Sequence, residues 1–240
     1  MTQQLPPTAS LDAARSQLRP ARRQLVDERA AFDQFCKRAE RLSVDGAHAT
    51  VAPDATCAAR VRPDDDGLAA VRRAYETTVM AVPHYRDAYD DPYTTHLAAE
   101  LGNQLARTVR RATMLTPQLR ARIVDAASTA RERRVDRIRA IDAELVTLDR
   151  VEQLALDLLD AVAPVATATE TPDDQGRVTH IERRCRERIR ERESVLGDES
   201  TGIVADLYED EPGVDPVLAT LEAVLARVAE WTAKRDELAD

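Results

Sequence analysis

Ten positions near the start of the chain recur at alternating intervals of three and four: Leu11, Ala14, Leu18, Ala21, Leu25, Glu28, Phe32, Phe35, Ala39 and Leu42. Nine of the ten are apolar, and Glu28 is the exception. A mean spacing of about 3.5 residues holds these side chains on one narrow stripe of an α-helix, and a stripe of that kind must be buried against another helix. The pattern predicts an all-α fold, an elongated antiparallel helical bundle or coiled coil packed along thin apolar seams.

The rest of the chain agrees. Only 3% of residues are aromatic and 32% are charged, which suits slender bundles better than a thick globular core. The seven glycines and twelve prolines fall mostly in a few gaps. No stretch alternates with period two, so strands are not expected.

The gaps set the expected elements. A helix over about 10–42 starts at Ser10 as N-cap, with Pro20 either kinking it or marking its true start near Arg19. The acidic run Asp64, Asp65, Asp66 is placed to cap a helix at about 67–82, with Leu68, Val71, Tyr75, Val79 and Val82 on its buried face. Short helices follow at about 94–101 and 103–114, divided by Gly102. Thr116-Pro117 is a strong start signal for a helix reaching about residue 161. Its expected seam runs Leu119, Ile123, Ala126, Ala130, Val135, Ile138, Ile141, Leu145, Leu148, Val151, Ala155, Leu158, Val162, with a stammer at 145–148–151. The stretch RERRVDR (131–137) has almost no apolar face and is expected to protrude. Beyond a polar linker at 164–177, a helix at about 178–196 carries the stripe Val178, Ile181, Cys185, Ile189, Leu196. After a possible helical turn near 204–208, Asp215-Pro216 opens the last helix, with seam Val217, Leu221, Val224, Val228, Trp231, Leu238. The domain reading is a helical bundle over 1–163 with a short-helix cap at about 67–114, the linker 164–177, and a hairpin or bundle extension at 178–240.

Charge narrows the setting. The 34 basic residues include only two lysines, Lys37 and Lys234, against 43 acidic residues, for a net charge of −9. An arginine-for-lysine, carboxylate-rich surface points to a salt-loving source, where surface charge steers partners weakly. Residues 104–150 are net basic and residues 198–240 strongly acidic. No apolar run is long enough to span a bilayer and no signal-peptide pattern opens the chain, so a cytoplasmic protein without a membrane association is expected. Cys36, Cys57 and Cys185 form no CxxC pair and are expected to be reduced thiols.

Two stretches are candidate sites. Residues 75–96 gather Tyr75, Tyr85, Tyr89 and Tyr93 with His84 and His96, either a recognition surface or the local core where short helices cross long ones. His96 and Glu100 share a helix face, with His84 and Asp87 nearby, but no HExxH motif is present and no metal or other cofactor is expected. The stretch THLAAELGNQLARTVRR (95–111) is similar in outline to a helix-turn-helix, with Arg107, Arg110 and Arg111 as candidate phosphate contacts. Asn103 and Thr108 stand where apolar residues belong, so its second helix is expected to pack poorly. No phosphate loop, GxSxG or nucleophile–base spacing occurs, and no catalytic residue is expected.

The stretch AYETTVMAVPHYRDAYDDPYTTHLAAELG (74–102), with DERAAFDQF (27–35) and the Thr116-Pro117 helix start, resembles a family of uncharacterised haloarchaeal proteins over roughly residues 20–160. The resemblance implies a haloarchaeal source and supplies no activity and no site residues. The functional expectation is a non-catalytic interaction or scaffold protein that binds a protein partner or a second copy of itself. The alternatives are a DNA-binding regulator acting through 95–111 and a ligand or metal sensor at 75–100.

Overall fold

A computed structural model describes residues 8–44, 67–162, 172–197, 208 and 215–239. The fold is all-α: among the described residues there is no strand. The α-helices are α1 (Ala9–Glu40), α2 (Gly67–Glu76), α3 (Tyr85–Ala88), α4 (Tyr93–Leu101), α5 (Asn103–Arg111), α6 (Pro117–Val162), α7 (Pro172–Leu196) and α8 (Pro216–Ala239). A 3-10 turn spans Val79–Ala81. No helix among the described residues is long and apolar enough to cross a membrane. The acidic run 64–66, Cys57, residues 164–171 of the expected linker, and all of the expected turn at 204–208 except Tyr208 lie outside the described residues.

Two of the expected N-caps form, and Ser10 does not act as one. The Thr116 hydroxyl accepts the Leu119 amide at 3.1 Å, and the Asp215 carboxylate accepts the Leu218 amide at 2.9 Å, as N-caps do. At α1 the first turn closes on the Thr8 carbonyl instead, and the Ser10 hydroxyl bonds Thr220 at 3.0 Å. The helix runs through Pro20 without a break. The element expected over 67–82 ends as an α-helix at Glu76. Thr77 and Thr78 turn their hydroxyls onto the carbonyls of Arg73 and Ala74 (2.7 and 2.6 Å), and such back-bonding by adjacent β-branched residues competes with helix continuation. α7 begins at Pro172, within the stretch expected to be linker.

The chain divides into two units, residues 23–138 and the remainder on either side of them. In the unit of residues 23–138, α1 and α6 run antiparallel, with Glu28 beside Arg134, Asp33 beside Arg131 and Leu42 beside Arg120. Its core joins Phe32, Phe35, Val71, Tyr75, Val79, Leu97, Leu101, Leu105, Leu115, Leu119 and Ile123. Tyr75 is the centre of the aromatic packing, edge-on to Phe35 at 5.1 Å and to Tyr93 at 5.6 Å. Gly67 lies against Leu115 so closely that a Cβ there would sit 2.7 Å from the Leu115 Cβ. Gly102 joins α4 to α5 at φ 92°, a left-handed conformation that glycine adopts without strain.

In the other unit, Arg15 of α1 bonds Asp149 and Glu152 of α6, and Arg22 bonds Asp142, so the helices are antiparallel here too. α7 and α8 pack together. The buried seam of α8 is the expected Val217, Leu221, Val224, Val228 and Trp231, while the side chain of Leu238 is outside the described residues. On α7, Arg192 is buried in place of Leu196, which is exposed. Arg192 donates two 2.8 Å hydrogen bonds to Glu144 and pairs with Asp215, and Tyr208 donates to Glu144 at 2.7 Å. Across both units α6 differs from its expected seam in the same sense. Arg134 and Glu144 are buried where Val135 and Leu145 are expected, because polar residues with partners can hold seam positions, and Ala127 is buried in place of Ala126.

Candidate functional site

Two settings in the unit of residues 23–138 concentrate the chemistry, one enclosed and one open. The enclosed setting grows from Glu28, the single polar residue of the α1 seam. Arg134 Nε donates to Glu28 Oε2 at 3.0 Å, and the rest of its guanidinium binds both carboxylate oxygens of Glu100. His84 Nε2 lies 3.0 Å from Glu28 Oε1, and Tyr89 donates to the same oxygen at 2.8 Å. Arg134 also stacks over the Phe32 ring at 4.8 Å. The protruding stretch expected at 131–137 is therefore corrected: Arg134 is buried, and Arg133 donates to the Glu100 carbonyl at 2.7 Å.

Burial pushes the Glu28 carboxyl up, but the hydrogen bonds from His84 and Tyr89 and the charge of Arg134 outweigh it and leave the group below the usual carboxylate range. Arg134 loses solvation on burial, yet its hydrogen bonds and charge contacts with Glu100 and Glu28 hold it more firmly protonated than usual. Above this cluster, His96 Nδ1 shares a 2.8 Å hydrogen bond with Tyr75, and the Tyr85 and Tyr89 rings each sit 5.0 Å from the imidazole. Burial lowers the His96 pKa and raises that of Tyr75. His96 Nε2 is buried without a hydrogen-bond partner.

The six residues of the candidate interaction surface thus divide. Tyr75, Tyr85 and His96 are buried, His84 is mostly buried against Glu28, Tyr89 reaches the surface, and Tyr93 is half-buried. The metal set weighed from the sequence does not form: His84 serves Glu28, Glu100 serves Arg134, and among the described residues no group of three or more His, Cys, Asp or Glu is placed to hold an ion.

The open setting is a cleft of about 600 Å³ between α2, α4 and α5. Leu68, Ala69 and Arg72 line it from α2, Tyr93, Thr94, Leu97 and Ala98 from α4, and Asn103, Ala106, Arg107, Val109 and Arg110 from α5, with Ala112 beyond. α5 packs well, contrary to expectation, because Leu105 is its buried anchor and Ala106, Val109 and Ala112 support it. Asn103 is exposed, so its polarity carries no burial cost. The joint between α4 and α5 is the single residue Gly102, shorter than the three to four residues of a DNA-binding helix-turn-helix. Arg107, Arg110 and Arg111 are all exposed, but only Arg107 and Arg110 line the cleft. Arg110 and Arg111 make no ion pair among the described residues. Arg72 bonds Glu76 at 2.7 Å and lies 5.2 Å from the centre of the Tyr93 ring. The Tyr93 hydroxyl is buried without a partner, and burial pushes its pKa up to about 12.

Tyr93 and the pair Arg107 and Arg110, which belong to separate candidate sites in the sequence, therefore share one cleft. Sequence reasoning missed Arg72, whose spacing from Glu76 reads as an ordinary solvent-facing i,i+4 pair. It also missed Arg134, although a lone glutamate on an apolar seam signals a buried cationic partner.

No curated protein and no solved structure matches the chain. The family described as "Domain of unknown function (DUF7260)" matches residues 9–232, beyond both ends of the 20–160 stretch that carries the resemblance, and the chain belongs to that family.

Proposed function

We propose that this is a non-catalytic interaction protein whose contact face is the α2/α4/α5 cleft. The observation that carries this reading is the lining: three arginines over an apolar floor, with no Asp, Glu, His or Cys among the described lining residues. An arginine-rimmed apolar concavity suits recognition of an anion. The hydroxyls of Tyr75, Tyr85 and Tyr89 bond His96, the Asp91 carbonyl and Glu28 inside the unit. Native mass spectrometry of the full chain recovered from its source cells tests the reading. The parent should carry a non-covalently held partner that an Arg107→Ala/Arg110→Ala variant lacks. Identical spectra for the two proteins would overturn it.

Self-association is a second reading, supported in the other unit. Leu156 and Leu159 of α6 stand one turn apart and are 48% and 38% exposed. Light scattering should then give a dimer or larger species that a Leu156→Glu/Leu159→Glu variant loses. A monomeric parent would end this reading.

A further inference from the structure

Resting on the interaction reading, we propose that the cleft binds a small organic anion, a carboxylate head on an apolar body. Arg107 and Arg110 stand about one turn apart on α5 and both line the cleft, so two guanidiniums converge on one volume. Arg110 has no ion pair among the described residues, and Arg107 donates only to the Asn103 carbonyl. Among the described residues their charge therefore has no carboxylate partner, and no described acid lines the wall. A carboxylate fits this lack, because a guanidinium offers it paired, charge-assisted hydrogen bonds.

The apolar requirement comes from the floor. Leu97 and Val109 belong to or pack on the core and also line the cleft, and Leu68 closes it from α2. A purely ionic ligand would leave that surface wet. A volume of about 600 Å³ is within the range of small-molecule sites. The Tyr93 hydroxyl, buried in the wall with no partner, supplies one polar group that a small shift on binding can satisfy.

The test uses the full chain and calorimetric titration with decanoate, with decanol (same body, no charge), acetate (same head, no body) and a short DNA duplex run in parallel. Decanoate should bind at one site per chain, and decanol and acetate at least about tenfold more weakly, the size expected for losing a charge-assisted hydrogen bond or the apolar body. Arg107→Ala and Arg110→Ala should each weaken decanoate by about tenfold or more. Arg111→Ala should leave binding unchanged, because Arg111 is exposed on the same helix but outside the cleft. Decanol matching decanoate, or equal losses in all three arginine variants, would overturn the proposal. DNA binding that needs Arg107 and Arg110, with decanoate silent, would overturn the ligand class and leave the interaction reading standing. Silence from every ligand, together with identical native spectra, would remove both.

Discussion

Arg134 Nε lies 3.0 Å from Glu28 Oε2, and this contact joins the α1 and α6 seams at the level of the tyrosine cluster. Both side chains are about nine-tenths buried. Replacing Arg134 leaves the buried Glu28 carboxylate without its arginine and the mostly buried Glu100 with only the exposed Arg133, 3.6 Å away. Arg134→Met should destabilise the protein by about 3–5 kcal/mol in denaturant unfolding, the usual cost of orphaning a buried ion. Glu28→Gln should cost less, about 1–3 kcal/mol, because Arg134 keeps Glu100. The reverse order would show that Glu100 rather than Glu28 is the dispensable partner.

This cluster also marks the limit of what the residues alone disclose. The apolar seam of α1 was legible because apolar spacing has one physical outcome, burial, and all ten of its positions are buried or half-buried. The caps at Thr116 and Asp215 were legible for a similar reason: a short polar side chain before proline has few other uses. Seam positions held by Arg134, Glu144 and Arg192 were not. A charged residue is buried only where a distant partner meets it, and pairs more than a hundred residues apart, such as Glu28 with Arg134, leave no local pattern. The cleft was hidden likewise, since it depends on how α2 lies against α4 and α5.

Acid should unfold the protein in two steps whose signs agree. His96 titrates below its ordinary value in the folded state because burial disfavours its charge. The unfolded chain then binds more protons, so the stability from neutral His96 is complete above about pH 6.5 and falls as pH drops through that value, by at most about 1.4 kcal/mol per pH unit. Glu28 is also depressed, so its contribution is complete above about pH 4.3 and is lost as pH falls further. Melting temperature followed from about pH 8 to 2 should show both declines, and His96→Gln should lack the upper one. An upper limb that persists in the variant would assign it to another group.

Gly67 should not accept alanine. The added carbon would meet the Leu115 Cβ, an atom fixed to the backbone of a fully buried residue. Gly67→Ala should cost about 1–3 kcal/mol, as overpacking does, and thermal unfolding reads it directly. An unchanged transition would mean that the α2 start has room to shift.

The two N-caps should differ in weight. Thr116→Ala removes one capping bond and should cost about 1 kcal/mol. Asp215 caps α8 and also pairs with the buried Arg192, so Asp215→Ala should cost about 3 kcal/mol. Equal losses in urea unfolding would show that the Arg192 contact adds nothing.

The cleft is the centre of the functional account, and methyl-resolved NMR during a decanoate titration tests it most directly. The account predicts saturable shifts at Leu68, Leu97 and Val109, with Leu148 and Leu221 of the other unit unmoved. Shifts spread evenly over both sets, or absent from the first three, would contradict it.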